Sequence, residues 1–177
     1  MVWRVNYSMA DDVNERLKKI KLLAMDFDGV LTDNKVFVDE NGIEMVICDR
    51  SDSLGIDLLK KKGTIDIIVI SKETNKVVQQ RCNKLKIECI SGINDKLATL
   101  KNALKEKNMT LEDVAFIGND VNDIECIQES GVGVAVSDSA PEVLQIADIV
   151  TKNKGGNGAV REFIEMLLMN QVKEIKS

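Results

Sequence analysis

The sequence predicts a doubly wound α/β fold with a mostly parallel sheet, and three observations predict it. Short apolar runs rich in Ile, Val and Leu recur along the 177 residues, too short to cross a membrane and bounded like buried strands. Between them lie amphipathic stretches of about ten residues or more, the length of a crossover helix. Several of the runs stop at Asp, Ser or Gly-Asn, where chemistry-bearing side chains collect on the carboxyl edge of such a sheet.

In order, Asp11–Lys19 reads as a short charged helix and Leu22–Met25 as the first strand. Val36–Val38 and Glu44–Ile47 flank Asp39-Glu40-Asn41-Gly42, and an Asn-Gly between two β-rich runs predicts a hairpin. Ser51–Lys62 predicts a helix capped by Ser51 or Asp52 and stopped by Gly63. Ile65–Ile70 is a buried strand ending at Ser71. It is followed by a helix over Thr74–Leu85, a strand over Ile87–Ile90 and a helix over Asp95–Lys107. Val114–Ile117 is a strand leading to Gly118-Asn119-Asp120. A helix over Asn122–Glu129, a strand over Val132–Val136, a helix over Pro141–Ala147 with Pro at its first turn, and a short strand Ile149-Val150 come next. A Gly155–Gly158 loop precedes the last helix, Val160–Val172. Residues 1–177 are read as a single domain with no cap domain, the one insertion being the hairpin at about residues 35–48.

Composition narrows the function. The net charge is −5, with one Trp, one Tyr and four Phe, so neither the basic face nor the stacking platforms of a nucleic-acid binder are expected. The N-terminus has no apolar core of a secretory signal. Cys48, Cys82, Cys89 and Cys126 show no metal or framework spacing and read as small buried residues of a cytoplasmic protein. There is no histidine, which removes the usual general base and zinc ligand. Catalysis must then run on carboxylates, Lys, Ser/Thr and a hard metal.

Asp26 and Asp28, one residue apart at the end of the first strand, point to the same face of an extended segment. Two like charges there repel, and a cation between them relieves the repulsion. Oxygen ligands of this kind suit Mg²⁺, which keeps waters and shares its shell with phosphate. Ser71, Lys96, Asn119, Asp120 and Asp123 follow later strands on the same predicted edge. Each has a plainer role when taken alone: Ser71 as a helix cap, Lys96 as a solvated lysine, Asp120 and Asp123 as first-turn acids favoured by the helix dipole. Together they form a phosphoryl-transfer set. The metal and Lys96 neutralise phosphate oxygens, Ser71 donates a hydrogen bond, one carboxylate attacks, and a second, for which Asp28 is the candidate, shuttles the proton.

Asp26-Phe27-Asp28-Gly29-Val30-Leu31-Thr32-Asp33, Ser71, Lys96 and Gly118-Asn119-Asp120-Val121-Asn122-Asp123 resemble the four motifs of the haloacid dehalogenase superfamily, in its capless sugar-acid phosphatase branch. Asp52-Ser53-Leu54-Gly55-Ile56 and the Gly155–Glu162 stretch extend the resemblance to nearly the whole chain. The resemblance implies Asp26 as nucleophile and Asp28 as acid/base. It implies Mg²⁺ held by the Asp26 carboxylate, the Asp28 carbonyl and position 119, with Asp120 or Asp123 in support, and phosphoryl oxygens held by Ser71 and Lys96. It also implies a homotetramer with the hairpin packed between subunits. These phosphatases usually carry Asp where this chain has Asn119, a pattern shared instead with domains fused to acylneuraminate cytidylyltransferases. Thr32 and Asp52 are assigned to the substrate side, with Glu73, Arg81 and Lys84. The last three match positions of enzymes acting on nine-carbon 3-deoxy-nonulosonate (sialic-acid type) 9-phosphates, whereas the octulosonate enzymes tend to have Arg in place of Glu73.

The expected function is therefore Mg²⁺-dependent hydrolysis of a small-molecule sugar-acid phosphate, a 3-deoxy-nonulosonate 9-phosphate first and a 3-deoxy-octulosonate 8-phosphate second. A structural tetramerisation module partnering a cytidylyltransferase is the alternative of another class. A phospho-acceptor signalling domain is disfavoured, because a second Asp beside the first can finish hydrolysis.

Overall fold

The computed structural model describes residues 7–171, with side chains from residue 12 onward. Six parallel strands form one sheet: β1 (Leu22–Met25), β4 (Asp66–Ser71), β5 (Glu88–Ser91), β6 (Val114–Gly118), β7 (Val132–Ala135) and β8 (Ile149–Val150). Their spatial order is β5-β4-β1-β6-β7-β8. β1 therefore sits at the centre, and the chain winds outward from it in both directions, which makes the end of β1 the switch point where ligands bind in such sheets. A separate two-stranded ribbon pairs β2 (Phe37–Val38) with β3 (Glu44–Met45).

Burial along the strands explains why they read as continuous apolar runs: both faces are covered. Leu23, Met25, Val69 and Ile117 point to a core shared with α1 (Tyr7–Lys19), α2 (Arg50–Lys62), α3 (Lys76–Leu85) and α7 (Ala159–Gln171). Their neighbours Leu22, Ala24, Ile68, Ile70 and Phe116 point to the other face, against α4 (Lys96–Glu106), α5 (Ile124–Glu129) and α6 (Pro141–Ile146). The four cysteines are free, Cys82 and Cys126 buried, Cys48 and Cys89 half-buried.

Several boundaries differ from expectation for local reasons. The α2 cap is Asp49, whose extended backbone lets its carboxylate accept from Ser51 N at 2.6 Å; Gly63 ends the helix with φ 72° as expected. The α3 cap is Asn75, and Ser71 instead accepts from Glu73 N at 3.1 Å within the preceding turn. Residues Val121–Asp123 form a 3₁₀ turn before α5, held by reciprocal bonds between Asp120 and Asp123. The first helix begins at Tyr7, about one turn early, and the expected end of the last at Val172 lies outside the described residues. The hairpin turn is not the two-residue Asn-Gly type. Asp39 N bonds Ile43 O at 3.1 Å, and Asp39 Oδ1 accepts from Asn41 N and Ile43 N. Only Gly42 has a positive φ, at 76°, so the Asp39 carboxylate and a single glycine close a longer turn.

Candidate active site

The register places the expected residues on one edge. Met25 pairs with Val69 on one side and Ile117 on the other, so the chain beyond Asp26 leaves the sheet level with the ends of β4 and β6. Asp26 N donates to Ile117 O at 2.9 Å, extending the ladder one residue past the strand. The chain then turns back on itself, with Leu31 N bonding Phe27 O at 2.9 Å and Gly29 at φ 79°. A Cβ on Gly29 would collide with the Asn119 side chain, so glycine is what lets the β1 and β6 loops meet.

A buried ion triad lies at the centre. Lys96 Nζ is 2.8 Å from Asp26 Oδ1 and 2.6 Å from Asp123 Oδ1, and the three side chains are all but excluded from solvent, with Lys96 3% exposed. The lysine comes from the first turn of α4, capped by Asp95 accepting from Ala98 N at 2.8 Å. Burial works against its charge, but Asp26 and Asp123 outweigh it and hold the ammonium protonated. Burial pushes the Asp26 carboxyl up to about 7; repulsion from Asp123 adds to this and Lys96 opposes it. Asp28 is half-exposed, and its carboxyl is raised by burial and then by nearby Glu73, against the Thr32 hydroxyl and Lys96. A carboxyl so raised, at the solvent side of the buried Asp26, suits a proton donor.

The metal site implied by the resemblance comprises Asp26, Asp28 and Asn119, with Asp120 or Asp123 in support. Asn119 is buried and its Oδ1 has no hydrogen-bond partner. A buried acceptor left unpaired is costly, and a hard cation shared with the Asp26 carboxylate relieves it, so the donor set fits Mg²⁺. Among the described residues no three Asp, Glu, His or Cys side chains converge on a metal position. The fit therefore rests on one carboxylate, one amide oxygen and a main-chain carbonyl. Asp123 and Asp120, implied in support of position 119, differ in what they touch. Asp123 has both oxygens engaged, Oδ2 accepting from Asn119 N at 3.0 Å and Asp120 N at 3.3 Å, so it positions Asn119 and Lys96. Asp120 is exposed, and its carboxylate caps Val121 N at 2.7 Å.

Two of the five substrate-side residues, Thr32 and Asp52, are corrected. Thr32 is fully buried, and its Oγ1 accepts from Gly29 N at 3.1 Å and Asn34 N at 3.2 Å, shaping the catalytic loop. Asp52 is buried, and its Oδ1 accepts from Arg161 N at 2.9 Å, capping the start of α7 from α2. Lys84 is exposed in the last turn of α3, which runs from the carboxyl edge of the sheet toward the opposite one. Glu73 stays near the site through its pull on Asp28. Arg81 is half-buried and donates to Ser53 Oγ at 2.6 Å and to Asp49 O at 3.4 Å, beside the start of α2.

The structure also adds residues that sequence reasoning missed. The Gly155-Gly156 loop packs on the catalytic loop so tightly that a Cβ at Gly155 would overlap the Gly29 carbonyl. Gly156 N donates to Val30 O at 3.0 Å, and Asp138 holds the loop by accepting from Gly155 N at 3.0 Å. Glu44, from the hairpin, bonds Asn75. No sequence signal points to Asp138 or Glu44, since each acts across a long sequence separation.

Comparison with known proteins agrees with this architecture. The haloacid dehalogenase-like hydrolase family matches residues 61–164. The chain is similar to the 3-deoxy-D-manno-octulosonate 8-phosphate phosphatase KdsC of Yersinia pestis, at 36% identity over 93% of this chain and 88% of that protein. It is 34% identical to the Escherichia coli K12 protein of the same name over 92% and 86% of the two chains. Among solved structures, a HAD superfamily subfamily III A hydrolase from Legionella pneumophila superposes with a TM-score of 0.91, at 36% identity over 94% and 92% of the chains. The 3-deoxy-D-manno-octulosonate 8-phosphate phosphatase of Moraxella catarrhalis, solved with magnesium, phosphate and KDO, superposes with a TM-score of 0.88, at 34% identity over 92% and 94% of the chains. On the family match and on relatives of this identity and coverage, the chain belongs to the haloacid dehalogenase-like hydrolases.

Proposed function

We propose that the chain is a Mg²⁺-dependent phosphatase of 3-deoxy sugar-acid phosphates. The observation that carries this reading is the buried Asp26 carboxyl held by Lys96, one strand from the unpartnered Asn119 oxygen. Asp26 and Asn119, with the Asp28 main-chain carbonyl, would hold the metal. When bound, Mg²⁺ draws charge from the phosphoryl oxygens and keeps Asp26 ionised. An Asp26 oxygen attacks phosphorus as the ester P–O bond breaks, and Asp28 donates its proton to the departing alkoxide. Asp28, now a carboxylate, takes a proton from water, whose oxygen attacks the aspartyl-phosphate and releases inorganic phosphate and free Asp26. Ser71, 2% exposed at the end of β4, and Lys96 hold the phosphoryl oxygens.

The names of the relatives favour the eight-carbon substrate, 3-deoxy-D-manno-octulosonate 8-phosphate. Glu73 favours the nine-carbon nonulosonate 9-phosphate, because the octulosonate enzymes tend to carry Arg there. Phosphate release from both compounds and from an aryl phosphate, with and without Mg²⁺, decides between them. Release from the eight-carbon ester first, and only with Mg²⁺, is the expected result. Binding of a phosphate mimic with no turnover of any ester would instead support a structural module for a cytidylyltransferase.

We further propose that the chain is a homotetramer. Along β3 and beyond it Ile43, Met45 and Ile47 face outward while Glu44, Val46 and Cys48 face in; Phe37, opposite Met45, adds to the outward apolar stripe, and Val36 and Val38 are exposed on the alternate face. A two-stranded ribbon with so apolar an outer face is marginal alone and gains from a second copy.

A further inference from the structure

A line of bonds runs from the phosphoryl end of the site out to the hairpin. Ser71 Oγ accepts from Glu73 N at 3.1 Å, Glu73 Oε1 accepts from Asn75 N at 2.7 Å, and Asn75 Nδ2 donates to Glu44 Oε2 at 2.8 Å. The Asn75 amide is fixed at both ends, since its Oδ1 also caps α3 by accepting from Val77 N at 3.0 Å. Glu44 is half-buried on the inward side of β3, and its Oε1 has no partner among the described residues. The hairpin thus brings a half-buried carboxylate, with one oxygen spare, to the outer end of the line that starts at Ser71. Such an oxygen accepts hydrogen bonds from hydroxyls and repels carboxylates, and partial burial strengthens both effects.

We infer that Glu44 is a specificity-determining residue: tethered through Asn75, it presents its free oxygen to the carbons next to the phosphoryl group and selects substrates with hydroxyls there over those with a carboxylate there. This deepens the phosphatase reading and rests on it. It also matches a sugar acid whose hydroxyls adjoin the phosphate and whose carboxylate lies at the far end.

Glycerol 3-phosphate and 3-phosphoglycerate differ only in a hydroxymethyl against a carboxylate two carbons from the phosphate ester, so they probe this wall directly. Their inhibition constants are measured against hydrolysis of an aryl phosphate, for the wild type, Glu44→Gln and Asn75→Asp. Asn75→Asp keeps an acceptor for Val77 N but replaces the amide that tethers Glu44 with a repelling oxygen. The expected wild-type preference is for glycerol 3-phosphate. Glu44→Gln should shrink that preference about fivefold, and Asn75→Asp should shrink it in the same direction by displacing the tethered oxygen. A lost contact that was merely structural would weaken both inhibitors together. Equal preference in all three proteins overturns the inference and leaves the phosphatase reading standing. No aryl phosphate hydrolysis by the wild type overturns the phosphatase reading, and this inference with it.

Discussion

The end of the central strand and the hairpin that overhangs it are built on opposite terms. At the strand end Asp26, Lys96 and Asp123 are buried, and their bonds lock three loops to one another. On the hairpin Phe37 and Val38 are 57% and 61% exposed, and the described side-chain bond from it to the rest of the chain is that of Glu44 to Asn75. Buried charges hold geometry because any shift leaves one of them unpaired, at several kcal/mol. An exposed ribbon with one tether tolerates variation and takes its final shape from what covers it. The proposed chemistry draws on the first region, and the proposed selectivity and assembly draw on the second.

The largest expected effect is at the buried end. Asp26→Asn should cut phosphate release by about 10³-fold or more, because no other group can form the covalent intermediate; residual turnover near wild type would move the nucleophile elsewhere. Next is Lys96→Met, which strands two buried carboxylates and should cost about 3–5 kcal/mol in urea unfolding. Unchanged stability would show that the two regions are not held differently after all.

The third prediction concerns pH. The Asp26 carboxyl lies at about 7 in the metal-free fold, above its ordinary 3.8, so the folded state binds that proton more tightly than the unfolded chain does. The stability this confers is present in acid and is lost as pH rises through about 7. Mg²⁺ binds the ionised form, so its thermal shift should be larger at pH 8 than at pH 6; an equal shift at both would mean that the metal does not compete with that proton. Asn119→Asp should tighten Mg²⁺ roughly tenfold by calorimetry, by adding a charge where only an amide oxygen is available. No change would remove position 119 from the ligand set. The smallest effect on folding is expected on the ribbon. Phe37→Ser with Met45→Ser should alter unfolding free energy by only about 0.5 kcal/mol while light scattering reports a smaller species; an unchanged mass would separate the apolar stripe from assembly.

The same contrast explains what was legible in advance. Strands buried on both faces announce themselves as Ile- and Val-rich runs, and residues directly after them inherit an address on the sheet edge. Asp26, Asp28, Ser71, Lys96 and Asn119 were placed in this way. Thr32 and Asp52 were misjudged because a side chain one turn away on a loop or helix can face the site or the core. Thr32 turns inward to Gly29 N, and Asp52 meets the start of α7. The hairpin was legible from Asn41-Gly42, but its turn geometry was not, because the Asp39 carboxylate supplies bonds that help close it.

By itself the sequence determined the winding of the sheet, the edge on which the acids collect and the hard-metal character of the chemistry, since each follows from local pattern and the absence of histidine. The tertiary structure alone decided that Lys96 bridges two acids, that Asn119 keeps an unpaired oxygen and that Glu44 reaches Asn75. Those facts depend on how far apart separate loops come to rest, and that distance is set by packing between elements remote in the chain.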